Sequence, residues 1–313
     1  MVSRFCGLAG RATIFLAAFA APAFAADFPL QKDQAAVGDV QAYEASASGN
    51  LLDVARKFDV GYVNFMAANP SVDPWSPGAG TTISVPTMFI LPDAPRVGIV
   101  INLAARELYY FPKDGAKVEI YPVGIGVEDG ATPLGLTKIV RKEPDPVWIP
   151  PPSIRAERPD LPLSIGPGPD DPLGAFALRT GWTNILIHGT NKPDSVGRNV
   201  SHGCFHLYPE DIEKLFNEVA VGTPVRTISQ DVAAAWIGDR LYVEVYPTKE
   251  QADEIDYGHS MTPAIPQDLV DRVTAVAGDR ADEVDWDAVQ RAGEKATGLP
   301  VAVTGGDVAS ADR

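Results

Sequence analysis

The sequence predicts a mainly β protein preceded by one small α+β unit, and two observations support this fold class. From residue 96 onward, short alternating apolar segments are separated by glycine and proline, as in VGIVINLAARELYYF and KVEIYPVGIG, which is typical of strands and hairpins. Residues 40–90 instead carry apolar residues at helical spacing. The chain has 313 residues, of which 45% are hydrophobic, and this length favours two globular domains.

The first 25 residues have the three parts of a secretory signal peptide. Arg4 and Arg11 form a positive beginning, residues 12–21 are an apolar run too short to span a bilayer, and residues 23–25 are the cleavage motif A-F-A. No stop-transfer pattern follows, so we expect residues 1–25 to be removed rather than kept as an anchor. The mature protein should then lie outside the cytoplasm, without stable insertion in a membrane.

Charge and cysteine usage narrow the function classes. The chain has 26 Lys and Arg against 41 Asp and Glu, a net charge of −15, and no basic cluster, which argues against nucleic acid as a partner. Two cysteines are encoded, and Cys6 leaves with the signal peptide. Cys204 is then alone in an oxidising compartment, where an unpaired thiol indicates reactivity.

Residues 40–90 predict a strand–helix–helix–strand unit. Two apolar faces define its helices, and the residues on them are Leu51, Leu52, Ala55 and Phe58 in the first and Val63, Met66 and Ala67 in the second. We expect the second helix to end near Asn69-Pro70, with short extended segments flanking the pair.

The β region begins with a hairpin in residues 97–111, and further strands are expected in KVEIYPVGIG and after GATPLG. The proline-rich residues 143–178 should form a long functional loop with neither a helix nor a central strand. NILIHG is a short strand that ends at His188. A helix is expected to open at residues 208–211, YPED, where a proline lies in the first turn and acids lie at the positive end.

The C-terminal third is predicted to complete the β region and to end in a peripheral tail. TPVRTIS and RLYVEVY are two further strands, and residues 230–261 form a strand extension of the β region. Residues 262–313 are predicted to be an acidic tail with one helix. Asp285 would cap that helix and Gly298 would end it.

The stretch SHGCFH, residues 201–206, concentrates reactive side chains, and four interpretations of Cys204 remain open from the residues alone. As a nucleophile it would need a nearby imidazole, and His188, sixteen residues earlier, could meet it only through the fold. The N–H groups of Gly203 and Cys204 would then be oxyanion donors. The alternatives are a buried inert cysteine, an intermolecular disulfide, or a zinc site, whose usual ligand spacing is not matched by His188, His202, Cys204 and His206.

The segment IHGTNKPDSVGRNVSHGCFHL resembles the signature of the YkuD-type L,D-transpeptidase catalytic domain, in which His-Gly and a loop precede Ser-His-Gly-Cys. Further matching segments occur in the family's order, namely IVINLAARELYYF, YPVGIGVEDGATPLGLTKI, DPLGAFAL and VGTPVRTI. The resemblance implies a β-sandwich-like catalytic domain over residues 96–229, with a short helix after the cysteine. Residues 40–90 resemble a LysM peptidoglycan-binding domain, and the whole arrangement resembles periplasmic ErfK-like members of the family.

The resemblance also implies a mechanism. Family members cut a peptidoglycan tetrapeptide stem before its terminal D-Ala, hold the acyl group as a cysteine thioester and transfer it to an amine, without a metal or an organic cofactor. The implied site residues are Cys204 as nucleophile, His188 as general acid and base, Gly189 as the carbonyl that orients His188, His202 for positioning the thiolate or the oxyanion, Gly203 as a backbone oxyanion donor and Ser201 as a brace of the loop.

One position departs from the family pattern. The family commonly has arginine two residues after the cysteine, where this chain has His206. The permanently charged guanidinium group of arginine is thereby replaced by an imidazole, which ordinarily titrates near neutrality. His206 and Arg198 are therefore the predicted substrate-binding residues, and Arg179 is a further arginine that could substitute for the family residue.

The sequence does not specify the acceptor. The acceptor could be another stem peptide, the lysine terminus of an outer-membrane lipoprotein, or water, which would make the protein an L,D-carboxypeptidase or a lipoprotein-releasing hydrolase. A rival from a different class is a catalytically idle wall-binding scaffold, favoured only by His206. In each case the expected partner is peptidoglycan and the expected compartment is the periplasm.

Overall fold

The structure, a computed structural model, describes residues 26–127 and 132–305. The predicted signal peptide, residues 1–25, lies outside the described residues. Within the described ranges, no helix is long and apolar enough to cross a membrane.

Short strands dominate the described chain. The strands are β1 Ala26–Pro29, β2 Ala36–Gly38, β3 Gln41–Glu44, β4 Thr82–Val85, β5 Met88–Ile90, β6 Gly98–Asn102, β7 Glu107–Phe111, β8 Lys117–Pro122, β9 Ile125–Gly126, β10 Gly135–Pro144, β11 Phe176–Thr180, β12 Leu186–His188, β13 Asn199–Ser201, β14 Phe205–His206, β15 Pro224–Ile228, β16 Val232–Ile237, β17 Arg240–Val245 and β18 Val301–Ala302. The helices are α1 Leu51–Lys57, α2 Tyr62–Ala67, α3 Pro152–Glu157, α4 Pro209–Glu218, α5 Lys249–Asp256, α6 Leu269–Ala277 and α7 Trp286–Lys295, with 3-10 turns at Pro193–Ser195 and Gly278–Glu283.

A nine-stranded sheet in the order β1-β8-β7-β6-β15-β10-β11-β12-β14 forms the centre. Neighbouring strands are antiparallel except for the pairs β6–β15 and β12–β14. Successive side chains of a strand point to opposite faces, so Ile99 and Ile101 of β6 pack in the cluster that includes α4, whereas Val100 packs with β2 and β5 on the other face. The predicted mainly β fold class and the β6–β7 hairpin are confirmed.

We call β3, α1, α2 and β4 the N-terminal unit. Its strands pair antiparallel, and the predicted strand–helix–helix–strand order is present, although α2 ends at Ala67, slightly before the expected Asn69-Pro70. The unit has its own apolar core, centred on Leu51, Phe65 and Ile83. Helix α5, from the other end of the chain, adds Ala252 and Ile255 to this core.

We call β16, β17, β18, α6 and α7 the C-terminal unit. The prediction of one helix in residues 262–313 is wrong, because α6 precedes α7. In α6, Leu269, Val273 and Ala277 recur every four residues and are buried in a core shared with β16 and β17. The predicted cap of α7 is confirmed, since Asp285 accepts the N–H of Ala288.

The proline-rich segment contains a helix, which contradicts the expectation for residues 143–178. Helix α3 begins at Pro152 directly after Pro151. Proline is tolerated in the first turn of a helix, where its missing N–H has no intrahelical partner to lose. The prolines therefore place the start of a short helix here instead of excluding one.

Candidate active site

The strand register brings together residues that are distant in sequence. β12 and β14 pair in parallel, with His188 opposite His206, and Cys204 directly precedes β14. The Leu186 N–H donates to the Cys204 Sγ over 3.4 Å, and the thiol donates to the Asn184 carbonyl over 3.3 Å. Cys204, His188, His202 and His206 line one cavity of about 730 Å³. The fold therefore joins the two predicted catalytic residues in a single site.

His188 is held in one tautomer. Its Nδ1 lies 2.6 Å from the carbonyl oxygen of Gly189, and because a carbonyl only accepts, Nδ1 must carry the proton. Nε2 is then the unprotonated nitrogen that a general base requires. The pKa of His188 is lowered to about 3, mainly by burial and also by the nearby His206, against the opposing effect of the Gly189 carbonyl.

The surroundings of Cys204 favour the protonated thiol. Burial raises its pKa, against the opposing influence of the Leu186 N–H and the charge of Arg179. A neighbouring imidazole ordinarily lowers a thiol pKa, but both members of the pair are partly or wholly removed from water, which disfavours their charged forms. The resting site thus holds an uncharged thiol and an uncharged imidazole in one cavity.

A tight turn holds Cys204, the predicted nucleophile. The Ser201 hydroxyl donates to the Cys204 carbonyl over 2.6 Å and accepts the Gly203 N–H over 3.1 Å. Gly203 has φ +114°, a conformation that side chains rarely allow, and its carbonyl accepts from the Thr132 hydroxyl over 3.0 Å. Because the Gly203 N–H is already bonded within the turn, the Cys204 N–H is the better placed of the two predicted oxyanion donors.

His202 faces the proline-rich segment across the cavity. Its Nε2 lies 3.4 Å from a carboxylate oxygen of Glu157 at the end of α3, and the side chain of His202 is about half exposed. This contact ties the catalytic turn to the segment that covers it.

His206 is buried rather than presented to a substrate. Its Nε2 lies 3.0 Å from both the hydroxyl and the carbonyl oxygen of Ser195, and its ring lies against Gly124, where any side chain would collide with it. Burial lowers its pKa. His206 lines the cavity but supplies no permanent charge in place of the family arginine.

The two arginines have different surroundings. Arg198 donates to Asp256 over 3.1 Å and lies 3.4 Å above the ring of Tyr62, and it does not line the Cys204 cavity, so its assignment to substrate binding stays a prediction. Arg179 donates to Glu143 over 2.7 Å, and its charge acts on the Cys204 thiol. Arg179 therefore acts on Cys204 only through its charge, since it does not line the Cys204 cavity either.

About half of the residues that line the cavity come from the proline-rich segment. The apolar side chains from that segment include Trp148, Pro151, Ile154, Leu161 and Ile165, and the charged residues of the cavity are Glu157, Arg158, Asp170 and Lys192. The sequence predicts a functional loop here but not its individual residues, because only the fold shows which side chains face Cys204. In the part of the chain that the structure describes, no group of three or more His, Cys, Asp or Glu side chains could hold a metal ion.

Comparison with known proteins agrees with this geometry. The YkuD family model, described as the L,D-transpeptidase catalytic domain, matches residues 96–227. The probable L,D-transpeptidase YbiS of Escherichia coli is 36% identical over 303 residues, which cover 92% of this chain and 97% of YbiS. The chain belongs to the L,D-transpeptidase family. The probable L,D-transpeptidase YcfS of the same organism is 39% identical over 76% of this chain and 78% of its own.

Solved structures of the L,D-transpeptidase family resemble the chain more distantly. The catalytic domain of the Enterococcus faecium enzyme is 22% identical, with a TM-score of 0.34, over 44% of this chain and all of that domain. L,D-transpeptidase 3 from Mycobacterium tuberculosis is also 22% identical, with a TM-score of 0.34, over 47% of this chain and 65% of its own.

Proposed function

We propose that the protein is a peptidoglycan L,D-transpeptidase that carries its acyl group on Cys204. The observation that carries this proposal is the pairing of β12 with β14, which puts His188 and Cys204 in one cavity while the Gly189 carbonyl keeps His188 Nε2 unprotonated. A histidine base beside a cysteine is the arrangement that acyl transfer requires.

In the first half-reaction, the Cys204 sulfur attacks the carbonyl that precedes the terminal D-Ala of a tetrapeptide stem. The thiol proton moves to His188 Nε2 as the C–S bond forms, and the Cys204 N–H donates to the developing oxyanion. The C–N bond then breaks, and the D-Ala nitrogen leaves with the proton from His188. The product is a thioester, and because the resting pair is uncharged, proton transfer accompanies attack instead of preceding it.

In the second half-reaction, an amine attacks the thioester carbonyl and gives its proton to His188. The C–S bond then breaks as the new amide forms, and His188 returns the proton to sulfur, which restores the thiol. Water in place of the amine would give a carboxypeptidase. A stem-peptide amine or the lysine terminus of an outer-membrane lipoprotein would give a cross-link.

Residues around the pair support the same chemistry. Arg158 and Lys192 line the cavity and would complement the carboxylates of an anionic stem peptide, a task for which the buried His206 is unsuited. Glu157 and His202 would hold the proline-rich wall against the catalytic turn once a stem is bound. We further propose a periplasmic location and glycan binding by the N-terminal unit, as the resemblance to LysM domains implies.

The decisive test is the intact mass of the mature protein after mixing with a soluble disaccharide tetrapeptide. We expect an adduct of the stem without its D-Ala, and we expect Cys204→Ala to form none. The variant should melt at the wild-type temperature, because no disulfide depends on Cys204, whose thiol is free. A wild-type protein that neither gains mass nor releases D-Ala would contradict the proposal and favour the idle scaffold.

Product analysis then identifies the acceptor. Adding a second stem peptide, a lysine-terminated peptide or neither to the acylated enzyme separates cross-linking, lipoprotein attachment and hydrolysis. Retention on purified peptidoglycan, compared between the full mature chain and a variant with substituted exposed residues of the N-terminal unit, tests the glycan-binding proposal separately.

A further inference from the structure

The N-terminal unit contacts the catalytic segment on both sides of Cys204. Upstream of the cysteine, the N–H groups of Tyr62 and Val63 at the start of α2 donate to the carbonyls of Val196 and Gly197 over 3.2 and 3.3 Å. These two hydrogen bonds attach α2 to the loop that leads into β13 and the catalytic turn.

Downstream of the cysteine, two further contacts hold the start of α4. The Tyr208 hydroxyl donates to the Val60 carbonyl over 3.2 Å, and Arg56 makes two hydrogen bonds of 2.8 Å to the Glu210 carboxylate. A unit that resembles a separate binding module is therefore bonded to both ends of the segment that carries the nucleophile.

Two glycines allow the upstream contact. A side chain at Gly197 would begin 2.2 Å from the Cα of Gly61, and one at Gly61 would begin 2.8 Å from the Cα of Gly197. No side chain fits at either position without separating the two backbones. The backbones at Gly61 and Gly197 are thus packed directly against each other, which two domains joined only by a flexible linker would not require.

The loop that carries Val196 and Gly197 also contains Ser195, which lines the Cys204 cavity. The Ser195 hydroxyl donates to the Lys192 carbonyl over 2.6 Å, so its lone pairs are free to accept from His206. The Ser195 carbonyl accepts from the same nitrogen, which fixes the proton of His206 on Nε2. The ring of His206 then lies beside that of His188, with 6.1 Å between ring centroids.

We propose that Ser195 is a positioning residue and that the N-terminal unit braces it, so that the ring of His206 is fixed beside the catalytic base. This inference rests on the proposed function for its effect on turnover. If the brace loosens, the ring of His206 can turn or take up a proton, and a positive charge beside His188 opposes transfer of the thiol proton to it. The unit would then act on catalysis even with a soluble substrate that needs no anchoring.

The test pairs two glycine substitutions in the same unit. Gly61 has φ −73°, so Gly61→Ala strains no backbone angle and acts only as a wedge against Gly197. Gly49→Ala is the matched control, because its new methyl group would meet only the end of the Ser46 side chain. Ser195→Ala removes the hydroxyl without a wedge, and Ser195→Thr restores a hydroxyl.

Two measurements are made on each folded variant, namely the ring nitrogen NMR signals of the four histidines and the kcat and KM of thioester formation with the soluble disaccharide tetrapeptide. We expect Gly61→Ala and Ser195→Ala to change the His206 signals and to lower kcat by roughly 10- to 100-fold with little change in KM. Gly49→Ala should match the wild type, and Ser195→Thr should recover most of the kcat.

Unchanged His206 signals in Gly61→Ala would overturn the brace, and changed signals with a wild-type kcat would overturn its catalytic role. If Gly61→Ala does not fold, Ser195→Ala and its threonine rescue decide the positioning role alone. A wild-type protein that forms no thioester would contradict the proposed function, whereas the NMR signals would still decide whether the brace exists.

Discussion

The N-terminal and C-terminal units are similar in architecture, yet they join the central sheet in different ways. Each has a small antiparallel sheet, two helices and a separate apolar core. The N-terminal unit bonds to both flanks of Cys204 through Tyr62, Val63 and Arg56. The C-terminal unit instead packs Ala233 and Ala235 against Ile90, on elements that do not line the Cys204 cavity.

The difference suggests that attachment, not architecture, determines which unit influences catalysis. The C-terminal unit is joined through the Glu244 carboxylate, which accepts the Ile90 N–H over 2.9 Å, and through the side chain of Asn102, which donates to the Gln230 carbonyl over 3.0 Å. These contacts support the sheet from its far face. Damage to the C-terminal unit should therefore reduce stability, whereas damage to the N-terminal unit should reduce both stability and turnover.

The largest expected effect comes from matched core truncations in the two units. Leu51 and Leu269 are both 1% exposed, and replacing a buried leucine with alanine costs about 2–5 kcal/mol because of the lost contacts and the cavity left behind. We expect Leu51→Ala and Leu269→Ala to lower the melting temperature similarly. Only Leu51→Ala should also lower the kcat for thioester formation, measured at a temperature where both variants are folded. Equal losses of kcat would remove the distinction between the units.

Much of the fold and the reactive pair could be predicted from the sequence because their signals are local. Alternating apolar residues gave the β6–β7 hairpin, and the order of the motifs gave His188 and Cys204. The role of Ser195 and the Arg56–Glu210 pair could not be predicted, since these contacts join residues far apart in the chain. Helix α6 was missed, although Leu269, Val273 and Ala277 carry its periodicity, because the acidic composition of residues 262–313 favoured a tail with a single helix.

A smaller effect, dependent on pH, is expected where α4 meets the N-terminal unit. The buried Asp211 carboxyl is hydrogen-bonded to Asp59 of that unit, and burial, then the Asp59 charge, raises the pKa of Asp211 well above 3.8, while Lys214 opposes the shift. Arg56, Glu210 and Tyr208 are the other ionisable groups at this contact. One proton shared by two carboxyls stabilises the contact, as long as that proton stays bound.

The direction in which stability changes with pH follows from the raised pKa of Asp211. A carboxyl whose folded pKa is raised contributes stability that is complete below its unfolded value of about 3.8 and is lost as the pH rises through the folded value. Asp211→Asn cannot lose a proton, so its melting temperature should increasingly exceed that of the wild type between pH 4 and pH 9. A difference between variant and wild type that does not change with pH would show that the two carboxyls share no proton.

The smallest expected effects come from removing one ion pair in each unit. Arg56 pairs with Glu210 across the junction, with side chains 42% and 28% exposed, whereas Arg280 pairs with Glu283 within the C-terminal unit, with 43% and 46% exposed. Ion pairs in solvent contribute about 0–1 kcal/mol, so Arg56→Gln and Arg280→Gln should each change the melting temperature only slightly. Because Arg56 holds the start of the helix that follows Cys204, Arg56→Gln should still lower kcat while Arg280→Gln leaves it unchanged. A double-mutant cycle with Glu210→Gln checks the assignment. If Arg56 acts through its contact with Glu210, the second substitution should add little to the loss of kcat. Fully additive losses of kcat would mean that Arg56 acts through another contact.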